Sequence, residues 1–188
     1  ILFKMGLILL LSSPLLAFKD SLYLGLSSGV GGVSEVSESK KTLSAMSASS
    51  IGLKVGNDFN IDRAHLYHIR WEGFLDHRMH TVKDQYEKSD GWHVGASVLF
   101  GRKLDLFLND AVMPFIKVGY GFSQASSLGE GSEVHYGTGI IIMNNHFEVS
   151  LGIDQERRAW DGWMIRTAYF EKSAEHNYHS YIMTSWRF

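Results

Sequence analysis

The charges whose placement could carry chemistry are Lys54, Arg70, Glu72, Lys117, Glu148, Asp154 and Arg187. Each stands at an alternate position beside apolar neighbours, as in Ile51-Gly52-Leu53-Lys54-Val55 and Ile116-Lys117-Val118. His68, His93 and His135 share that parity. Opposite charges gathered on one side of a set of strands predict hydrogen-bonded pairs, because an unpaired buried charge is costly. Enclosed together they would fill an interior or, in the sharper reading, line a narrow ion path.

Other constellations are thinner. The chain has nine histidines and no cysteine. His77 with His80, and His176 with His179, have the spacing to share a metal only on a helical turn, and neither pair has an obvious third ligand. No metal site and no cofactor follow. His179-Ser180 could suggest a base and a nucleophile, with Glu171 or Glu175 orienting. Adjacent residues on a strand, however, point to opposite faces and cannot easily bond each other. No catalytic set is expected, and the chain is read as a non-enzyme, with a barrel-borne lipid hydrolase kept as an alternative.

The elements that must position these groups are strands. Apolar and small or charged residues alternate around Leu22–Ser27, Ser50–Gly56, Tyr67–Glu72, Trp92–Phe100, Ile116–Phe122, His135–Ile142, Phe147–Asp154 and Tyr178–Phe188. One alternation is weak, since a half-buried soluble strand reads the same way. Eight are stronger. The second face is too glycine-rich and too sparsely charged for a solvated surface, so it reads as a narrow polar lumen with the apolar face toward lipid. The expected fold is an all-β, eight-stranded antiparallel up-and-down transmembrane barrel. Ten strands are the alternative, because Trp163–Phe170 also alternates and another strand could hide in Ser34–Ser47.

Connections support the barrel. Asn144-Asn145 reads as a tight turn, the asparagines suiting positive φ at both positions, and Asn57–Asp62 as another short connection. Gly31–Thr42, Leu75–Asp90, Gln124–Ser132 and Gln155–Asn177 read as four longer surface loops. Gly101–Val112 is too long for the short end, and Leu104–Leu108 would extend the flanking strands or form a helical turn. Tyr23, Trp71, Trp92, Phe100, Tyr120, Phe122, Tyr136, Phe147, Trp186 and Phe188 read as interfacial anchors.

Composition sets outer limits. Lys4, an apolar run from Met5 to Leu11 and Ala17 read as a signal peptide over 1–17, leaving 18–188 as one barrel domain. The apolar run is short for a spanning helix. A net charge of −2 gives no reason to expect nucleic acid as a partner. Nineteen glycines against two prolines suit twisted sheet.

The signal-like start, the alternating strands, the glycine-rich motifs Ile51–Gly56 and Phe115–Gly121 and the terminal Trp186-Arg187-Phe188 together resemble the small outer membrane protein β-barrel family of OmpA-type and OmpX-type barrels. The resemblance implies an outer-membrane location among lipids and lipopolysaccharide. It also implies Trp186 and Phe188 as an assembly signal for the barrel-assembly machinery. The expected role is structural or interactive, with a plugged interior and loops that meet an extracellular ligand. A low-conductance porin-like channel and a soluble exported lipid-binding barrel are the alternatives.

Overall fold

The computed structural model describes residues 22–36, 47–81, 88–106, 110–125, 129–160 and 174–188. Nine strands form: β1 (Leu22–Val36), β2 (Ser47–Asn60), β3 (Tyr67–Thr81), β4 (Lys88–Arg102), β5 (Leu104–Asp105), β6 (Ala111–Ala125), β7 (Gly129–Met143), β8 (Phe147–Trp160) and β9 (Ala174–Arg187). The eight long strands pair antiparallel with their sequence neighbours. β9 pairs β1, and β4 pairs β6, so the sheet closes into an eight-stranded up-and-down barrel. Closure satisfies every strand edge, which a bilayer demands because it offers no water to free backbone groups. The ten-strand alternative therefore falls: the ring is complete with eight. Residues 1–17 and Trp163–Phe170 lie outside the described residues.

Strands run further than the alternation suggested. β3 continues to Thr81 and β8 to Trp160, through residues read as loop. The reason is that beyond the apolar band both faces become polar, so the period of two fades while the hydrogen-bond ladder persists. Within the long connection after β4, Leu104 pairs Val112 and Asp105 pairs Ala111, so its described start is a strand extension; residues 107–109 lie outside the described residues.

Two connections show the local chemistry of the short-turn end. Asp62 accepts from the backbone N–H of Leu66 at 2.9 Å and Tyr67 at 2.8 Å. These bonds, the Tyr67 one foremost, hold its carboxyl below the usual carboxylate range. His65, at φ 55°, is the sole non-glycine residue with positive φ among those described. Asn144 and Asn145 therefore do not adopt the positive φ expected of them. The link is three residues long, and the Asn144 side chain accepts from the Asn145 N–H at 2.6 Å and donates to Asp110 at 2.7 Å. The Asn144 N–H still closes the link on the Phe147 carbonyl at 2.8 Å, and the side-chain bonds brace it.

Parity is kept around the ring. Leu24, Leu26, Ile51, Leu53, Val98, Ile116, Val118, Leu151 and Ile182 are exposed on the outside, while Lys54, Arg70, Glu72, Lys117, Glu148 and Asp154 are buried within. Along β8 and β9 the outward face runs from the Phe147–Trp186 pair to the Gln155–Tyr178 pair. The eight steps between them span about 27 Å of strand. Tilted by about 40°, that rises about 21 Å, comparable with the roughly 25 Å apolar band of outer-membrane barrels. No helix among the described residues is long and apolar enough to cross a membrane; the crossing is made by strands.

Glycines on the inner face make room for the charges. A Cβ on Gly52 would meet the Asp76 carboxylate, and one on Gly119 would meet the His135 ring, each from the partner residue directly across the ladder. Long polar side chains thus lie flat across a neighbouring strand that has no side chain there. We predict that Gly119→Val, which crowds His135, costs about 1–3 kcal/mol of stability. Val118→Ile, facing outward on the same strand, should leave the urea midpoint of the folded protein in detergent unchanged.

Candidate functional site

The interior is the part of this molecule where reactive groups converge, and it holds three ionic clusters and a dry one. Nearest the short turns, Arg70 is fully buried and forms a bidentate pair with Glu148, Nη1 to Oε2 at 2.8 Å and Nη2 to Oε1 at 2.9 Å. Its Nη2 also donates to Asp58 at 3.2 Å. Arg187, still 24% exposed at that end, reaches the same two carboxylates at 3.3 and 3.4 Å. His68 meets Asp58 at 3.0 Å, and Ser185 donates to Glu148 at 3.3 Å. Fork geometry explains the choice of arginine: a planar guanidinium satisfies two carboxylate oxygens at once.

Midway along the barrel, Glu72 is the hub. Tyr23 donates its hydroxyl proton to Oε2 at 2.9 Å and Ser97 donates to Oε1 at 3.1 Å. Lys54 lies 3.6 Å and Lys117 4.0 Å from Oε1, and Lys117 also pairs with Asp154. Both ammonium groups sit over the Tyr181 ring, 4.2 and 4.6 Å from its centroid, and Arg70 lies 4.5 Å from that of Tyr23. The aromatic faces accept part of the positive charge where carboxylates run out. Tyr23, read as an interfacial anchor, thus points inward; its position at the start of β1 concealed that.

Towards the opposite end, Arg78 pairs with Glu156 and lies 3.6 Å from Asp76, while Ser123 donates to Glu133 at 2.7 Å beside His93 at 3.0 Å. These residues line or neighbour a small cavity bounded by Lys54, Phe74, Arg78, Lys117, His135 and Asp154, with room for about one water molecule. Asp154 Oδ1, buried in that wall, has no hydrogen-bond partner among the described residues.

Opposite the ionic stack, Leu99, Met113, Phe115, Ile141, Met143 and Met183 form a buried apolar cluster with Tyr181 and Tyr23. It is concentrated near the short-turn ends of β4, β6 and β7. The lumen is therefore not polar throughout, as the alternation suggested. Near the short turns its polar side lies mainly on β2, β3 and β8, and its dry side on β4, β6 and β7. A soluble lipid binder needs an apolar hollow, and among the described residues the interior is filled instead by these charges and packed side chains.

All seven sequence-chosen charges lie on the lumen side, six buried and Arg187 at the mouth. Asp58, Asp76, Arg78, Glu133 and Glu156 were not singled out. Asp58 hid in a presumed turn. Asp76, Arg78 and Glu156 lay in segments read as loop and Glu133 between a loop and a strand, yet Asp76 and Arg78 continue the parity of Arg70 and Glu72, which was the available signal. His77 packs its ring 4.8 Å from that of Trp92, and both three-spaced histidine pairs fall in strands, not on the helical turn a shared metal requires. His179 is buried, whereas Ser180 is exposed on the other face. The partner of His179 is instead Ser50, whose Oγ lies 2.7 Å from Nε2.

No protein-family model matches the chain, and no curated protein matches it in sequence. Solved structures do. The outer membrane enzyme PagL superposes with a TM-score of 0.59 at 12% identity, over 85% of this chain and 97% of that one. Neisserial surface protein A gives 0.57 at 10% identity, over 89% and 97%. The fold is that of a small outer-membrane β-barrel. With the apolar exterior, this places the chain in a bacterial outer membrane. The comparison also overturns the expectation that the chain is not an enzyme. The same architecture over nearly the whole length of PagL carries an enzyme, so the barrel gives no ground for excluding catalysis.

The ion pairs make a measurable claim. Glu148→Ala should cost about 3–5 kcal/mol of unfolding free energy, because it strands Arg70 in the interior. The double variant Arg70→Met/Glu148→Leu should cost less than Glu148→Ala alone when both are compared by urea titration in detergent.

Proposed function

We propose that this barrel is a rigid outer-membrane anchor with a non-conducting interior. It would present the connections at its loop end to molecules outside the cell, in the manner that the resemblance to OmpA-type and OmpX-type barrels suggests. The observation that carries this reading is the filled cross-section near the short turns. There the Arg70–Glu148–Asp58 cluster occupies one side and the Met113–Phe115–Ile141 cluster the other. An eight-stranded barrel is only wide enough for its side chains to fill it, and paired guanidinium and carboxylate groups are poor ion pathways because moving one strands its partner.

Outer-membrane lipids, including lipopolysaccharide, are the proposed partners of the apolar band, and an extracellular ligand that of the loop end. Trp186 and Phe188 are the proposed contact for the barrel-assembly machinery. Both rings are exposed, Trp186 stacks edge-on against Phe147 at 6.5 Å, and Phe188 is tied to the barrel by its N–H to the Leu22 carbonyl at 3.0 Å.

In planar bilayers the purified full chain should give no steady single-channel current; a reproducible ohmic conductance would rule out the sealed interior. Phe188→Ala should slow the appearance of the heat-modifiable folded band in cells severalfold, and unchanged kinetics would remove the assembly role.

A further inference from the structure

The geometry points to Ser50 and His179 as a nucleophile and base able to hydrolyse small carboxylic esters entering from the loop end of the barrel. Their separation is 2.7 Å, from Oγ to Nε2, within reach of proton transfer. The two residues are not on adjacent strands. β2 carries Ser50, β9 carries His179, and β1 runs between them. Gly29 of β1 makes the contact possible: a Cβ there would occupy the space of the imidazole itself. A side chain reaching across a whole strand to a single hydroxyl is a built arrangement, not a neighbour contact of the ladder.

Two further features suit the chemistry. Directly opposite Ser50 across the β2–β3 ladder stands Arg78, a buried guanidinium whose Nε–H has no acceptor among the described residues. A buried donor on the residue that faces the nucleophile across the ladder is what a developing oxyanion needs. Ser50 and His179 are buried, each keeping 8% of its surface exposed, and stand only three and five residues from the loop-end starts of their strands. The site therefore requires no passage through the barrel and is compatible with a sealed short-turn end.

The step balances without any co-reactant but water. With the imidazole proton on Nδ1, the Ser50 hydroxyl donates to Nε2. Oγ forms a bond to the ester carbonyl carbon as Nε2 takes the hydroxyl proton, and Arg78 holds the oxyanion. The bond from that carbon to the alkoxy oxygen then breaks, its electron pair leaves with oxygen, and His179 returns the proton to release the alcohol. Water, deprotonated by the same Nε2, attacks the acyl-serine, releasing the acid and restoring Ser50.

The test uses the full chain folded in detergent, with folding checked by heat-modifiable gel mobility. A small alkyl fluorophosphonate should form an adduct on Ser50, located by peptide mass spectrometry. Ser50→Ala should abolish labelling and the hydrolysis of p-nitrophenyl acetate, and His179→Ala should slow both at least tenfold. No serine adduct, or labelling and turnover unchanged in Ser50→Ala, overturns the assignment. Because the chain has no cysteine, Ser50→Cys installs a unique thiol. At pH 7 its alkylation by iodoacetamide should be severalfold faster than in Ser50→Cys/His179→Ala, with a lower midpoint in the pH profile. Equal rates and equal profiles would show that His179 activates nothing.

Discussion

Two surfaces with opposite solvents, separated by one strand's thickness, govern this molecule. A closed eight-stranded sheet in lipid must show hydrocarbon outward, yet its interior is too narrow to stay empty and too wide to close on backbone alone. Charged side chains fill it, and each then has to find its opposite. Glu72 meets Lys54, Lys117, Tyr23 and Ser97, and Glu148 meets Arg70, Arg187 and Ser185. Lys54, Ser97, Ser185 and Arg187 reach these carboxylates from neighbouring strands, but Arg70 with Glu148 joins β3 to β8 and Lys117 with Glu72 joins β6 to β3, so those pairs form only when the ring closes. Interior pairing and barrel closure are one event.

Glycine is the complement of those charges. Where Asp76, His135, Asp154 or His179 lies across a neighbouring strand, the residue beneath is Gly52, Gly119, Gly137 or Gly29. Any side chain there would lift the long group off the wall and into its counterpart. The same substitution of space for substance that packs the lumen also lets His179 reach Ser50. A structural device and a reactive geometry thus share one origin.

Much of the barrel was legible from residues such as Leu53-Lys54-Val55 and Val149-Ser150-Leu151, because two unlike surfaces impose a period of two. The strand ends were not. Around Asp76, Arg78 and Glu156 both faces turn polar, and alternation loses contrast although the ladder continues. The dry cluster was also hidden: Met113, Ile141 and Met143 sit between outward apolar residues and read as one continuous run, Ile140-Ile141-Ile142 above all. Most elusive was the Ser50–His179 contact, made between residues 129 apart and across an intervening strand. No local spacing encodes it; only the register of three strands and the gap at Gly29 do.

The most direct test is depth-resolved quenching along one strand. Single cysteines at Ile116, Lys117 and Val118, labelled with a small fluorophore and reconstituted in bilayers of brominated lipid, report which side meets hydrocarbon. Strong quenching at 116 and 118, with little at 117, is the predicted result. Quenching at 117 with protection at its two neighbours would contradict the account, for it would turn the sheet inside out.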